Sequence, residues 1–558
     1  MARRRCRGRS WLRRASFWLL VFWLSASATI FWKTYSQYKN KPQHIYLRSI
    51  LGRGLCLSRA TAAVLNLACC LVLIPMCRSL SSALHSTFGY AALSFWLQKG
   101  KFIHITCAIT ILLAAAIHTA AHVANAVNFS RYYSHNFPEI NWASYEGQAP
   151  LAMILTSVAG ITGVAMVVLL CILAVMSVGY VRKRHYNAFW FTHHLFLPFL
   201  LLLLCHPLSG VLKELKNPEE HIPGCLINVT GNITEVQSSK HILCKSEAIF
   251  VPMESQGWLW IVLPLSIYSV DATYRVMRRN VRSVTVLQVT RLPGAAIRLQ
   301  LQCSFTCQPG QYILLQCPVI SSFEWHPFSI TSVSNLHGCS SFSILIQAKG
   351  DWTGELCGRV LVPFSHCQQT TELCRWPSPE PVRFLVDGPF SSSLQSILHT
   401  PVAICIAGGS GVTPFASIFQ YLLDCTALPH LPERLHFVWL LKNVEQLLWF
   451  ASLLCSLHDR FWMNNQPDRL NIILHVTKNY SSACNTVEIS QKYKVLLHRL
   501  QNGRPKWGSL FKQWKNMYRR PNVAVFASGP TSLTKEIKKH CYKCSKNGTS
   551  FRFMRESF

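Results

Sequence analysis

Charge is scarce in this chain, and negative charge scarcer still: 14% of residues are charged, with 23 Asp and Glu against 55 Lys and Arg. So little charge beside 50% hydrophobic residues excludes one small soluble globule, and suits a membrane region joined to one or two soluble domains within 558 residues. The formal charge of +32 does not read as nucleic-acid binding. Most basic residues flank apolar segments, where they bias the orientation of a membrane protein. A disulfide framework is missing too, because the 23 cysteines scatter through apolar segments and a soluble half. Cys541 and Cys544 form a CxxC without a second pair, so surface coincidence is a stronger reading than zinc. No internal repeat is evident.

What the sequence has is apolar length. Runs able to cross a bilayer core lie near residues 15–32, 55–77, 102–127, 151–178, 188–212 and 258–274, which predicts six membrane helices. Arg3, Arg4, Arg5, Arg13 and Arg14, then Lys99 and Lys101, then Arg182, Lys183 and Arg184, then Arg275, Arg278 and Arg279 all fall on one side of that zigzag. Both termini are therefore expected in the cytosol. Lys33, Lys39, Lys41 and Arg48 in the first outer loop run against the rule. Ser25 to Ala28 imitates a signal-cleavage site, but the aromatics around it and the want of a secreted domain after it favour an anchor. N-glycan acceptor patterns begin at Asn128, Asn228 and Asn232, all in outer loops; Asn479 and Asn547 match the same pattern on the cytosolic side.

The run from 102 to 129 carries three histidines, His104, His118 and His122. At about 100° per residue His104 and His118 differ by only ~40° and stand ~21 Å apart along a helix, near opposite ends of a ~30 Å hydrocarbon core. The fifth run offers His193 and His206 at a similar separation. Two helices with two imidazoles each predict two stacked haems, His104 pairing with His193 around an inner one and His118 with His206 around an outer one. Thirteen positions is not a same-face spacing, so the second pair needs a local deviation, for which Pro198 is the candidate; His194 in place of His193 does not cure it. The bland alternative for a lone intramembrane histidine is a helix-to-helix hydrogen bond. Arg59 and His122 are expected at the outer haem edge, either where a small acceptor such as oxygen is reduced or as contacts to a haem propionate.

After residue 282 the texture changes. "VTVLQVT" and "AIRLQLQC" alternate like strands of an antiparallel barrel, and from about residue 396 "PVAICIAGG" followed by "VTPFASIFQYLLDC" reads as strand, glycine turn and helix of a doubly wound α/β domain. "PGQYILLQCP" (309–318) and "HPFSIT" (326–331) look like the flavin-barrel strands of the ferredoxin-reductase group. "GDWT" (350–353), "DGPF" (387–390) and "GGSGVTPF" (408–415) follow in order. A lone glycine turn is weak evidence, whereas the ordered set is strong.

Those strings, with the paired histidines and with "FWKTY", "GLCLSRA", "VLNL" and "PMCR" in the first two spans, resemble the NADPH oxidase flavocytochromes over essentially the whole chain. The resemblance implies three parts: a six-helix, bis-haem membrane domain over residues 1–282, an antiparallel β-barrel FAD domain over 283–395, and an α/β NADPH-binding domain over 396–558. It implies FAD, two b-type haems and NADPH as donor. His326, Pro327, Phe328, Ser329, Ile330 and Thr331 would line the flavin and its phosphate side. Gly350, Asp351, Trp352 and Thr353 would face the pyrophosphate, with backbone amides and the Thr353 hydroxyl. Gly408, Gly409, Ser410, Gly411, Val412, Thr413 and Pro414, with Gly529 and Pro530, would receive the dinucleotide. Electrons would pass from NADPH by FAD and the inner and outer haems to molecular oxygen on the far side. A small membrane partner subunit is implied, as is residence in the endoplasmic reticulum or plasma membrane. The rival readings are a transmembrane ferric reductase and a catalytically weak membrane scaffold.

Several positions depart from the family pattern. Lys442 and Asn443 stand where relatives carry Arg-Asp, which keeps a cation for the 2′-phosphate but loses the bidentate fork. Ser528 replaces a cysteine expected to face the nicotinamide, which predicts slower hydride transfer. Phe558 ends the chain where the family places an aromatic over the flavin; a buried end without that contact is the alternative. The outer loop of about 45 residues before the last span holds His221, Cys225 and Cys244. A disulfide or two free thiols are both open for the cysteines. In one type of the family such a loop is associated with release of hydrogen peroxide in place of superoxide. His221 would then supply a proton, and a surface histidine without a role is the alternative.

Overall fold

The computed structural model describes residues 8–81, 90–221, 225, 244–254, 256–281, 283–336, 339–361, 382–425, 432–478, 493–518, 523–545 and 549–556. Two compact units divide the chain, one of Arg14–Cys77 with Gly100–Val270 and one of Met1–Arg13 and Arg78–Lys99 with Asp271–Phe558.

Helices dominate the first unit: α1 (Gly8–Asn40), α2 (Ile45–Leu51), α3 (Arg53–Val72), α4 (Tyr90–Arg131), α5 (Val158–Ser177), α6 (Tyr186–His193) and α7 (Phe196–Cys205). Among the described residues five stretches are long and apolar enough to cross a bilayer, Ser16–Asn40, Arg53–Met76, Lys99–Arg131, Val158–Ser177 and Tyr186–Leu208. The sixth expected span is helical, α8 (Leu259–Val281), but its second half carries Asp271, Arg275 and Arg278, so it is not among the five. Much of the apolar surface of these helices faces outward, with Leu113, Val168 and Leu201 all exposed, as a lipid-facing surface requires.

Two local breaks shape the bundle. The run predicted from 151 to 178 is interrupted at Ser157, whose extended backbone starts α5 and whose hydroxyl accepts the Gly160 amide at 3.0 Å. Between α6 and α7 the chain tightens: His194 N bonds to Phe191 O, Leu195 N to Thr192 O and Leu197 N to His194 O, each spanning three residues. Pro198 has no N–H to give to His194 O, and Leu197 takes that acceptor instead. Where α3 meets α4, a side chain at Gly54 would collide with Asn125, so the glycine sets the approach of the two backbones.

The Asn128 pattern read as a glycan acceptor proves to be part of α4: the Asn128 amide donates to Leu51 O at 3.1 Å, and Phe129 and Ser130 are buried. A side chain committed inside a helix contact is not an open acceptor. Asn228, Asn232, Asn479 and Asn547 lie outside the described residues.

The second unit holds a closed antiparallel barrel, with strand order β3-β4-β7-β6-β5-β8. Its strands are β3 (Ser283–Leu292), β4 (Ala296–Cys303), β5 (Tyr312–Gln316), β6 (His326–Leu336), β7 (Cys339–Gln347) and β8 (Phe384–Phe390), numbered after a small antiparallel pair of β1 (Lys213–Leu215) and β2 (Phe250–Pro252) in the first unit. In β4 the alternation does what a period of two dictates: Ile297, Leu299 and Leu301 fill the barrel while Arg298, Gln300 and Gln302 face outward. Helix α9 (Asp351–Leu361) adds Trp352 and Leu356 to that core.

A six-stranded parallel sheet follows, in the order β12-β11-β10-β9-β13-β14. Its elements are β9 (Val402–Gly408), α10 (Thr413–Asp424), β10 (Arg434–Leu441), α11 (Ala451–Met463), β11 (Leu470–Val476), β12 (Leu500–Asn502), α12 (Trp507–Met517), β13 (Val523–Ser528), α13 (Thr531–Cys544) and β14 (Phe551–Arg555). The central strand β9 is buried on both faces, Ala403 and Cys405 joining one core and Val402, Ile404 and Ile406 the other, which explains its unbroken apolar run. The strand order turns at β9, between β10 and β13, so the crevice beyond its carboxyl end is where a ligand is expected.

Candidate functional site

In the membrane unit, His104 of α4 meets His193 of α6 with ring centres 6.2 Å apart, and His118 of α4 meets His206 just after α7 at 6.4 Å. An imidazole nitrogen binds a metal at about 2 Å, and with the ring centre ~1.1 Å behind it two rings on opposite sides of one iron have centres ~6.3 Å apart. Both pairs meet that spacing. The local tightening between α6 and α7 supplies the extra rotation that a thirteen-residue interval lacks.

Hydrogen bonds fix the tautomers. His104 Nδ1 faces Val72 O at 2.9 Å and His118 Nδ1 faces Ser58 O at 3.0 Å, and a carbonyl can only accept, so each Nδ1 carries the proton and each Nε2 keeps a free lone pair. His206 Nδ1 lies 2.9 Å from the Thr162 hydroxyl, which already donates to Val158 O and so accepts from the ring. Of the four clamp imidazoles, His193 alone has an Nδ1 that is buried without a hydrogen-bond partner among the described residues. This donor set fits two haems, each held by two neutral imidazoles. His194 turns away, its Nδ1 against Trp190 O at 2.8 Å and its ring on Trp190.

Arg59 and His122 gather at the outer pair. His122 stands edge-on to His118 at 4.5 Å. The Arg59 guanidinium lies over the Tyr38 ring at 5.8 Å and against Met253 Sδ at 3.6 Å, while its Nε is buried without a hydrogen-bond partner. A partly buried cation with a spare donor and no carboxylate bonded to it among the described residues suits an acidic group such as a propionate.

His221 is not a surface residue: it is 2% exposed, with Tyr46 Oη 2.8 Å from Nε2 and Ser246 O 3.1 Å from Nδ1. Since Ser246 O accepts, Nδ1 holds the proton and the Tyr46 hydroxyl donates to Nε2. Phe137 stands edge-on to the same ring. Cys225 and Cys244 are joined as a disulfide. That bond accounts for the cluster these two cysteines make with His221, which would otherwise look like a metal site.

On the barrel, "HPFSIT" divides by the alternation of β6. His326 stacks on Trp352 at 4.2 Å and pairs with Glu324 at 3.1 Å, and Phe328 stacks on the same indole at 6.2 Å. Burial pushes the His326 imidazole down, with Glu324 opposing. Ile330 points into the barrel core, Thr331 is tied to Ser343 O, and Pro327 is exposed. Thr353 is spent on the turn: its hydroxyl accepts the Lys349 and Gly350 amides and donates to Gly350 O, as a cap of α9 that begins at Asp351. Its expected approach to a pyrophosphate is therefore not ready-made.

The crevice at the switch point is a cavity of about 700 Å³ lined by Gly408, Gly409, Ser410, Gly411, Lys442, Gly529 and Pro530, with Lys349, Arg504 and Glu536 also on its wall. The Trp439 indole holds the turn in place by donating to Gly409 O at 3.1 Å. A Cβ at Gly411 would lie 2.5 Å from Ser528 O, so only glycine lets the two turns touch. Val412 and Pro414 pack in the core and Thr413 closes the turn onto Ser410 O.

Ser528 is buried and does not line the cavity; it faces Glu556. The Glu556 carboxyl lies against Ser528 and Ser329, both oxygens out of solvent and short of a formed hydrogen bond. Removal from water pushes it up to about 8, the two hydroxyls pulling the other way. Sequence reasoning missed Glu556, Arg504 and Lys349, although Lys349 immediately precedes "GDWT". Phe558 lies outside the described residues.

Three family descriptions match in order: "Ferric reductase like transmembrane component" over residues 59–204, "FAD-binding domain" over 281–394 and "Ferric reductase NAD binding domain" over 401–542. Among solved structures, the ferredoxin-NADP+ reductase of Plasmodium falciparum is similar at 13% identity and a TM-score of 0.30, covering 49% of this chain and 95% of that one. NADPH oxidase 4 of Homo sapiens is 37% identical over 99% of both chains, and NADPH oxidase 1 of Rattus norvegicus is 30% identical over 98% of this chain and all of its own. A membrane unit with paired imidazoles, a barrel and a dinucleotide crevice, matched end to end by such relatives, makes the chain a member of the NADPH oxidase family.

Proposed function

We propose that this protein is a transmembrane NADPH oxidase that delivers electrons to molecular oxygen on the extracytosolic side and releases mainly hydrogen peroxide. The observation that carries the reading is the pair of imidazole clamps, His104 with His193 and His118 with His206. When bound, FAD takes a hydride from NADPH and the two b-type haems carry single electrons onward.

The chain's own groups divide the remaining work over a membrane domain of residues 1–282, a FAD domain of 283–395 and an NADPH domain of 396–558. His326, Phe328 and Trp352 present a stacked aromatic wall to the flavin. The glycine turn and Lys442 receive NADPH, with Arg504 as a second cation for its phosphates. Arg59 and His122 border the outer clamp. His221, bonded to Tyr46 at Nε2 and to Ser246 O at Nδ1, would take up a second proton from solvent and pass it on, which favours peroxide over superoxide. The human relative is named NADPH oxidase 4, the type whose outer loop the sequence reading tied to peroxide. A small membrane subunit partners the helices, both termini are cytosolic, and the membrane is that of the endoplasmic reticulum or the cell surface.

One spectrum tests the whole. Purified protein with FAD and NADPH should develop a low-spin b-type difference spectrum under argon that discharges on admitting air. A signal that forms but persists in air until ferric iron is added would select a ferric reductase, the activity named in the matching membrane description. No signal at all would leave a scaffold.

A further inference from the structure

The crevice carries a cation that none of the quoted motifs includes. Lys349 ends the stretch after β7, on the barrel side, and its ammonium donates across the cleft to Ser410 Oγ at 3.0 Å. Ser410 is the middle of the turn at the carboxyl end of β9, where a dinucleotide pyrophosphate is expected. Both residues line the same cavity.

Lys349 is solvent-exposed at the cleft, where its ammonium can reach an incoming anion. The charge that acts on it is Lys442, and partial desolvation and that like charge both push its ammonium down from the ordinary lysine range. No ion pair is formed by Lys349 among the described residues, and the cavity wall sets three cations, Lys349, Lys442 and Arg504, against Glu536. A hydroxyl is a weak partner for an ammonium, and a phosphate oxygen a strong one. Lys442 follows β10, on the adenine side, where the proposed function places the 2′-phosphate. Lys349 stands by the turn after β9, too near the pyrophosphate position to read the same group.

We propose that Lys349 is the pyrophosphate-binding cation of the cleft: it exchanges the Ser410 hydroxyl for a pyrophosphate oxygen when the dinucleotide enters, joining barrel to nucleotide domain through the ligand. This deepens the NADPH-oxidase reading and rests on it. Because NADPH and NADH share the pyrophosphate, Lys349 contributes affinity without discrimination, and Lys442 with Arg504 supply the preference.

The test uses the full-length chain in membranes supplied with FAD, with flavin content and haem spectrum recorded for every variant. Lys349→Met should raise KM about tenfold for NADPH and NADH alike, and weaken inhibition by ADP-ribose, which has the pyrophosphate but no 2′-phosphate, by a similar factor. Inhibition by 2′-AMP should stay within twofold, and Lys349→Arg should recover most of the loss. Ser410→Ala releases the lysine from its tie and should lower KM for both donors by up to about threefold. A tie that is only structural predicts that Ser410→Ala and Lys349→Met shift KM in the same direction, and that result would overturn the proposal. So would an effect on NADPH alone, or KM values unmoved in Lys349→Met. Failure of the oxidase reading is a separate outcome, seen as no NADPH turnover in the unaltered chain.

Discussion

Arg278, near the end of α8, donates a 2.5 Å hydrogen bond to Asp387, a carboxylate with no exposed surface in the "DGPF" stretch of β8. The same guanidinium lies 5.3 Å over the Phe390 ring, and Arg275 reaches Asp387 at 3.9 Å while pairing with Asp271 at 3.0 Å. This ladder ties β8, the barrel strand that closes onto β5, to α8. Removing one member of a buried pair leaves an uncompensated charge, typically a cost of about 3–5 kcal/mol. Asp387→Leu should therefore lower the flavin-release temperature more than Arg278→Leu, in which Arg275 still faces the carboxylate. Equal, small effects would mean that water reaches the pair.

The histidine clamps predict a pattern of loss. His104→Leu and His193→Leu should each remove the same half of the b-type absorbance, and the double variant should lose no more than either alone. His118→Leu combined with His104→Leu should abolish the signal. Absorbance that falls by a quarter with each substitution would contradict the pairing, because each iron needs both of its imidazoles for a low-spin spectrum.

Donor preference tests the cleft from the other side. Lys442 keeps a point charge where relatives carry a guanidinium, and Arg504 shares the cavity wall. Arg504→Leu should cut kcat/KM for NADPH by ten- to a hundredfold while changing that for NADH less than threefold, and Lys442→Leu should do the same more weakly. If Lys442→Leu erased the preference and Arg504→Leu did not, the adenine-side lysine would be the reader.

How much of this was legible depends on whether the chemistry was local in sequence. The fourteen-residue interval from His104 to His118 follows from helix geometry alone, and the glycine turn before α10 from strand-turn-helix order. The thirteen-residue interval was legible as far as a local deviation with Pro198 as its candidate; the form it takes, a tightened turn around His194, was not. Asn128 misled because a three-residue pattern cannot say whether its amide is already bonded within a helix contact. Arg504 and Glu556 escaped because they reach their sites only when β12 and β14 take their places in the sheet, and nothing in their neighbours announces that. His221 was read correctly as a loop residue but not as a buried one, since Tyr46 and Phe137 that enclose it come from distant segments.

Glu556 gives a pH prediction with a definite sign. Its carboxyl is raised to about 8 by burial, so at pH 7 the folded chain holds a proton that an unfolded glutamate, near 4.5, has released. Stability from this group is fully present below about pH 4.5 and is lost as pH rises through about 8. Unfolding temperature should decline over that window, and Glu556→Gln, which fixes the neutral shape, should flatten the decline. Turnover should show an alkaline limb near pH 8 that the same variant removes. An unchanged limb in Glu556→Gln would assign it to another group.

The outer loop makes the last prediction because its histidine is held, not free. Tyr46 donates to His221 Nε2 and Ser246 O fixes the proton on Nδ1, so the buried ring is locked in one tautomer. If that ring delivers protons to reduced oxygen, His221→Ala should shift the product from peroxide to superoxide, measured side by side with two selective probes, while total electron flow stays within about threefold. Tyr46→Phe should shift it partway, since the ring stays but its orientation loosens. Opening the Cys225–Cys244 disulfide by Cys244→Ser should act in the same direction through the loop that His221 anchors. A product ratio that ignores all three substitutions would move proton delivery away from the loop and back to His122, beside the outer clamp.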